Sequence, residues 1–422
     1  MKNLLLLLLL IPTLGIAQIV NIPDANFKAY LVGNSAINTN GDSEIQVSEA
    51  AAFNGEIYCY DLNISNLTGI EAFTALTKLY CYNNQLDSLD VSQNTALIYL
   101  YCFGNQLTSL DVSQNTALTS LLCLDNQLDS LDVSQNTALI RLECESNQLT
   151  SLNVSQNTAL TYLECWNNQL TSLDVSQNTA LTELYCYSNQ LTSLDVSGAT
   201  ALTYLDCESN QLTSLNVSQN TALIVLNCSD NQLTSLNVSQ NTALTDLWCY
   251  DNQLTSLDVS QNTALTSLLC LDNQLDSLDV SQNTALIRLE CESNQLTSLN
   301  VSQNTALTYL WCESNQLSSL DVRNGNNTNF VYFSATNNPN LYCINVDDDA
   351  FSTFNWTGFY FVFDSQHYFS NNCSGTTSIQ ELNTNKKLLK VTDLLGRETK
   401  ATNQVLIHIY DDGTIEKKIV LE

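Results

Sequence analysis

The chain has 422 residues, of which only 13% are charged, about half the usual share for a globular protein. Asp and Glu number 43 against 13 Lys and Arg, for a net charge of −30. Phosphate backbones and anionic membrane surfaces repel such a chain, which excludes broad nucleic-acid binding; two histidines leave little for His-based catalysis or a His-rich metal site.

The first segment reads as an address. Met1-Lys2-Asn3 is a short basic start, and an unbroken leucine run follows from Leu4 to Leu10, extended by Ile11. Gly15 and Ala17 place small residues at −3 and −1 of a cut before Gln18. That is the pattern of a secretory signal peptide over residues 1–17, and the run is too short to span a bilayer. No Cys follows the run and no later stretch supplies a membrane span. The expected product is exported, in a compartment that permits disulfides.

Residues 18–56 read as an N-terminal cap. Ile22-Pro23-Asp24 opens a helix-like stretch over residues 26–31. The next twelve residues, Asn38 to Glu49, resemble a calcium-binding EF-hand loop, with Asn38, Asn40, Asp42, Glu44 through its carbonyl, and Glu49 at the oxygen positions. Asn38 stands where Asp is usual, and Ser43 where the turn glycine is usual. The resemblance implies a structural calcium; a polar loop in a helical cap is the other reading.

Cysteines then stand at 81, 102, 123, 144, 165, 186, 207, 228, 249, 270, 291 and 312, every step being 21 residues. Around each runs a fixed phrase, as in Leu97-x-x-Leu100-x-Cys102-x-x-Asn105-Gln106-Leu107-x-x-Leu110-Asp111-Val112. A degenerate copy precedes these near Ile57, with Cys59, and another follows with Phe330, Phe333 and Ala335 in the core positions. The period predicts a β-rich solenoid of about fourteen coils over residues 57–342. Leu100-x-Cys102 alternates as a short strand with both side chains inward, and stacked strands make a parallel sheet on the concave face. Asn105 is expected to turn the chain and to bond backbone groups of its own and the next coil. A 21-residue coil with Ser-Gln-Asn-Thr turns leaves no room for a convex helix. Free, buried thiols are expected in the cysteine column: neighbouring strands lie about 4.8 Å apart, while a disulfide wants Cβ atoms about 3.8 Å apart. A metal–thiolate array is the alternative, but a linear column does not gather four sulfurs tetrahedrally. The block resembles the leucine-rich repeats of bacterial surface proteins, in the cysteine-ladder subtype of internalin J-type adhesins.

Function is expected where the phrase varies. The outward positions beside the inward Leu and Cys hold Tyr99, Tyr101, Phe103, Tyr162, Trp166, Tyr185, Tyr187, Tyr204, Trp248, Tyr250, Tyr309 and Trp311, interspersed with Glu143, Glu145, Glu164, Asp206 and Glu290. Tyr and Trp carry binding energy at interfaces, so these twelve are the candidate ligand-binding residues for a protein or glycan. Cross-strand stiffening of the sheet is the competing explanation. A second acidic column, from Asp90 to Asp321, is expected to cap turns. Residues 105–163 and 252–310 are identical, a duplication that suits an extendable surface better than a unique catalytic site.

Cys343 and Cys373 break the register and are expected to pair in a C-terminal cap, residues 343–375, plugged by aromatics including Phe354, Trp356, Phe359 and Phe361. The tail, 376–422, carries Val391-Thr392-Asp393-Leu394-Leu395-Gly396-Arg397, Tyr410-Asp411-Asp412-Gly413 and Lys417-Lys418. It is expected to be a small β-sandwich. It resembles the C-terminal sorting domain of type IX secretion cargo, which implies passage across both membranes of a Gram-negative cell, with that machinery as a partner. The whole reads as a monomeric, non-enzymatic surface or extracellular binding protein needing no cofactor beyond the possible calcium. A structural surface-layer or matrix protein stands second, and a glycan-active enzyme third.

Overall fold

The structure, a computed structural model, describes residues 18–373 and the strand segments 388–392, 404–410 and 415–420. The described residues fall into two compact units, one ending at Phe369 and the other beginning at Ser370.

The first unit is built on a parallel sheet of fifteen three- or two-residue strands, running from Glu56–Tyr58 to Phe361–Val362. Each coil adds one strand in register with the last: Tyr99 pairs with Ser120, Leu100 with Leu121, and Tyr101 with Leu122. The period-two alternation holds, with Leu100, Cys102, Leu107 and Val112 all fully buried. The fifteenth strand is supplied by the C-terminal cap, so the sheet is one strand longer than the repeat phrase indicates. Opposite it, a second parallel ribbon forms only in patches. Ser172–Asp174 pairs with Ser193–Asp195, and Ser298–Asn300 with Ser319–Asp321; elsewhere the back of the coil is turns, with single 3-10 turns at Ile70–Ala72 and Asn327–Asn329 and no α-helix in any described coil.

Two asparagine ladders close the coils. In the first, Asn126 Nδ2 donates to the carbonyls of Cys102, Cys123 and Leu124, and its Oδ1 accepts from Leu107 N–H. It therefore ties its own coil to the preceding one, not to the next as the sequence suggested. Nor is it the turning residue. The left-handed backbone lies one position earlier, at Gly104, Asp125, Ser146 and their equivalents, with φ between 49° and 62° in these three. Gly, Asp, Ser and Asn fill that place because short polar side chains and glycine tolerate positive φ. The second ladder is the Asn of Ser-Gln-Asn-Thr: Asn115, fully buried, donates to the carbonyls of Val91 and Asn94. The acidic column does cap turns: Asp111 Oδ1 accepts from Ser113 N–H at 2.9 Å, and this amide bond holds its carboxyl below the usual value.

Both ends are covered. Helix α1, Ala25–Gly33, is N-capped by Asp24, which accepts from Asn26 and Phe27 N–H, and it buries Phe27 and Leu31. The second carboxylate oxygen of Asp24 accepts from the amide and hydroxyl of Ser65, fastening the helix to the first coil. Helix α2, Val47–Ala52, follows. At the other end α3, Asp349–Asn355, leads into Trp356. This Trp is 4% exposed and meets Phe333 and Phe369 edge-on at 5.3 Å each. The plug is narrower than expected: Phe354 and Phe359 are more than four-fifths exposed. Cys343 and Cys373 are disulfide-bonded, and the other thirteen cysteines are free and buried.

The second unit contains Leu388–Thr392, Gln404–Tyr410 and Ile415–Val420 in one antiparallel sheet, a single layer among the described residues where a sandwich was expected. The leader and most of the two tail motifs lie outside the described residues.

Candidate ligand-binding face

Because inward positions are fixed as Leu and Cys, the long sheet places the residues on either side of them in three parallel columns on its outer face. In-register pairing puts equivalents about 4.8 Å apart, the thickness at which aromatic rings stack. The twelve aromatics predicted from the sequence all lie there, half-buried, but not as one continuous stripe.

They form three groups. In the first, Tyr82 stacks on Phe103 at 4.4 Å and Tyr80 meets Tyr101 edge-on at 4.9 Å. The group extends into the degenerate coil, where Tyr58 and Tyr60 stack on Tyr80 and Tyr82. These two are the most open rings of the set, 48% and 39% exposed. They were missed as candidates, although their flanking of Cys59 was a readable signal. In the second group Trp166 stacks on Tyr187 at 5.0 Å, and Tyr185 sits between Tyr162 and Tyr204. In the third, Trp311 lies against Tyr309 and stacks on Tyr332 at 4.3 Å; Tyr332 was also missed. Trp248 and Tyr250 lie between the second and third groups. The Tyr250 hydroxyl donates to Glu208 at 2.7 Å, while Trp248 Nε1 is buried without an acceptor.

The charges are arranged around these rings. Lys78 pairs with Glu56 at 2.6 Å and lies over Tyr99. Arg141 pairs with Glu143 and lies 4.1 Å over the Tyr162 ring. Arg288 pairs with Glu290 and lies over Trp311. Glu164 accepts from the Tyr162 hydroxyl and, at 3.0 Å, from Trp166 Nε1. Burial pushes the Glu145 carboxyl up to about 8, helped by Glu164, Glu143 and Asp125. Burial likewise pushes Glu292 to about 7 and Asp206 to about 6. Glu143 and Glu164 are register partners, yet both are already engaged, one by a guanidinium and the other by two neutral donors.

The calcium candidates converge in part. Asp42 Oδ1 accepts from Glu44 N–H, and its Oδ2 accepts from Asn40 and Gln46. Glu49 Oε1 accepts from Thr39 and Asn40, and its Oε2 from Gln46 N–H. Burial raises the Glu49 carboxyl, but those bonds together hold it below its usual value. The Glu44 carboxylate pairs with Lys28 at 2.7 Å, which leaves its carbonyl, the expected calcium ligand, unaffected, and Asn38 Oδ1 accepts from Gly41 N–H. The positive φ the turn needs is met by Gly41, at 72°, not at position 43. The side-chain oxygens of Asn38, Asp42 and Glu49 thus accept from the loop's own donors, and no described group of three or more His, Cys, Asp or Glu residues is placed to hold a metal. As it stands, the arrangement is that of a self-capped polar loop.

The comparisons agree with this geometry. Residues 158–198 match the model for leucine-rich repeats in two copies. The solved functional domain of internalin J from Listeria monocytogenes, which includes a cysteine ladder, superposes with a TM-score of 0.63 at 29% identity, covering 96% of this chain and all of that one. The fold is a leucine-rich repeat solenoid of the internalin kind. An internalin (inlF) from the same organism shares the fold at TM-score 0.61 and 23% identity, over 75% of this chain and 95% of that one. In sequence, internalin J is 39% identical over 74 residues, which is 17% of this chain and 8% of that protein. No helix among the described residues is long and apolar enough to cross a membrane.

Proposed function

We propose that the chain is an exported, non-enzymatic recognition protein that binds a protein or polysaccharide through the aromatic and acidic face of its long sheet. One observation carries this: the three aromatic groups sit on the variable columns of that face, ringed by carboxylates, while every inward position repeats. Aromatic faces stack on sugar rings or apolar side chains, and carboxylates accept hydroxyls and amines. The leader and the tail's resemblance to type IX sorting domains support export to the cell surface or beyond. The likeness to the functional domain of internalin J supports a role in recognition.

A second reading is favoured by the stacking itself. Rings that satisfy one another, as Tyr60, Tyr82 and Phe103 do, also stiffen a rod whose length is its purpose. The two part in one experiment. The purified chain and a folded Trp166→Ala, Trp248→Ala, Trp311→Ala variant are screened on glycan and matrix-protein arrays. Saturable binding by the native chain alone supports recognition through this face. Silence from both, or equal binding by both, favours the structural rod.

A further inference from the structure

The duplicated segments place the same unusual group on the sheet face twice. Glu145 stands in the third outward column, opposite Trp166, whose carbonyl accepts from Ser146 N–H at 3.0 Å. Its side chain is buried, the residue being 2% exposed, and Oε2 has no hydrogen-bond partner. The groups around it are Glu143, Glu164 and Asp125, with Arg141 already committed to Glu143. Glu292 is its counterpart seven strands later, less deeply buried and with Glu313 rather than a tryptophan beside it in the third column. Its Oε2 is again buried and unpartnered, its neighbours are Glu290, Glu313 and Asp272, and Arg288 is committed to Glu290. Each Glu adjoins a coil bearing a tryptophan, Trp166 or Trp311.

A buried carboxyl with a free oxygen among other carboxyls lacks one thing, a cation. The sheet face has none to spare, since Lys78, Arg141 and Arg288 are each paired. We infer that Glu145 and Glu292 are two receptor points for cationic side chains of a basic polypeptide partner, about 34 Å apart along the sheet by seven strand spacings. At Glu145 the adjacent Trp166 indole, stacked on Tyr187, adds a cation–π contact to an entering ammonium or guanidinium; Trp311 already carries Arg288 and Tyr332. This deepens the recognition reading above and rests on the same face.

The test is calorimetric titration of the purified chain with hexalysine at pH 7 and physiological salt, in two buffers of different ionisation heat. An ammonium arriving at a neutral carboxyl expels its proton, so at pH 7 binding releases close to a full proton at Glu145 and about half a proton at Glu292. The expected result is two sites per chain with proton release. One site is lost in Glu145→Gln, and both in Glu145→Gln with Glu292→Gln, with affinity falling at least about tenfold. Gln keeps the shape of the neutral carboxyl, and two changes among 43 acidic residues leave the general attraction for polycations in place. Equal binding by the double variant, or binding without proton release, overturns the inference. The arrays separate this failure from that of the wider reading: a double variant that still binds an array ligand lost by the tryptophan variant sinks the basic partner and keeps the face.

Discussion

The two asparagine ladders differ in what their removal should cost. Asn126 makes four bonds of 3.0–3.1 Å, three as donor and one as acceptor. Asn126→Ala leaves the buried Leu107 N–H without its acceptor and strips the Cys102, Cys123 and Leu124 carbonyls of a donor. An orphaned buried donor costs about 1–3 kcal/mol, and the two N–H groups that the Asn126 amide shares among three carbonyls about 1 kcal/mol each, so the loss should be about 3–5 kcal/mol. Asn115 makes two bonds of 2.9 Å, and its Oδ1 is a buried acceptor with no partner. Asn115→Ala loses the two bonds but also removes that orphan, so the net cost should be about 0–2 kcal/mol. The chain makes this second exchange itself: Ala199 fills the same place, fully buried, in one coil. Because coils are coupled mainly to neighbours, the damage stays local. Amide hydrogen exchange in the coils spanning residues 100–130 is therefore the assay, with guanidinium unfolding beside it. If Asn115→Ala loosens its neighbourhood as much as Asn126→Ala does, the hydrogen-bond reasoning is wrong.

Three further outcomes are expected. The carboxyls of Glu145 and Glu292 are raised from 4.5 to about 8 and 7, so they favour the folded state fully below pH 4.5 and lose that contribution as pH rises through those values. The double Gln variant should therefore match the native chain in urea midpoint at pH 4.5 and exceed it at pH 9, by on the order of 2 kcal/mol per site; equal midpoints at both pH values would refute the buried placement. Burial pushes the Cys102 thiol up to about 12 and leaves all thirteen free thiols buried. A thiol reagent at pH 8 should thus label none of them in the native chain and all thirteen in guanidinium; labelling of the native chain would show an open column. Calcium should leave the melting curve unchanged, because Asp42 and Glu49 are filled internally. A true site at a thousandfold excess over its Kd would add about 4 kcal/mol, so a calcium-dependent rise in Tm would restore the calcium site.

What the sequence disclosed follows from what repeats. Leu100 and Cys102 were legible because a fixed step of 21 leaves their inward side no choice, and the buried thiol column follows from strand spacing alone. The roles of the two polar residues at the turn were not legible. Ser, Asp and Gly in the place before Asn105 look like variation, but all three share tolerance of positive φ, and the invariant Asn beside them anchors. Asn115 went unnoticed because Ser-Gln-Asn-Thr reads as an exposed turn, when the recurrence of its third residue, broken only by Ala199 among the Ser-x-x-Thr turns of the regular coils, was the sign of burial. The face was legible as a set of positions but not as three stacked groups, since ring pairing depends on rotamers that no periodicity encodes. Nor could spacing show that Tyr58 and Tyr60 extend the first group, or that the cap adds a fifteenth strand.

The ladders also explain how a surface of this kind is extended. Every regular coil brings its own donors for the carbonyls of the coil before it, as Asn126 does for Cys102 and Asn147 does for Cys123. Inserting whole coils therefore breaks no bond that the insert does not remake, and the duplicated segment 105–163 could be copied without redesign of the core. The exception marks the limit. At Gly198 a Cβ would stand 1.7 Å from the Ser176 carbonyl, so the Gln found in regular coils cannot occupy that backbone. Nearby, the back ribbon closes into paired strands at Ser172–Asp174 and Ser193–Asp195. A copied coil carries its outward residues with it, which is why Glu145 and Glu292 recur with the same unsatisfied oxygen. Duplication that is neutral for the core thus sets two copies of the same carboxyl seven coils apart, the spacing that the proposed basic partner has to match.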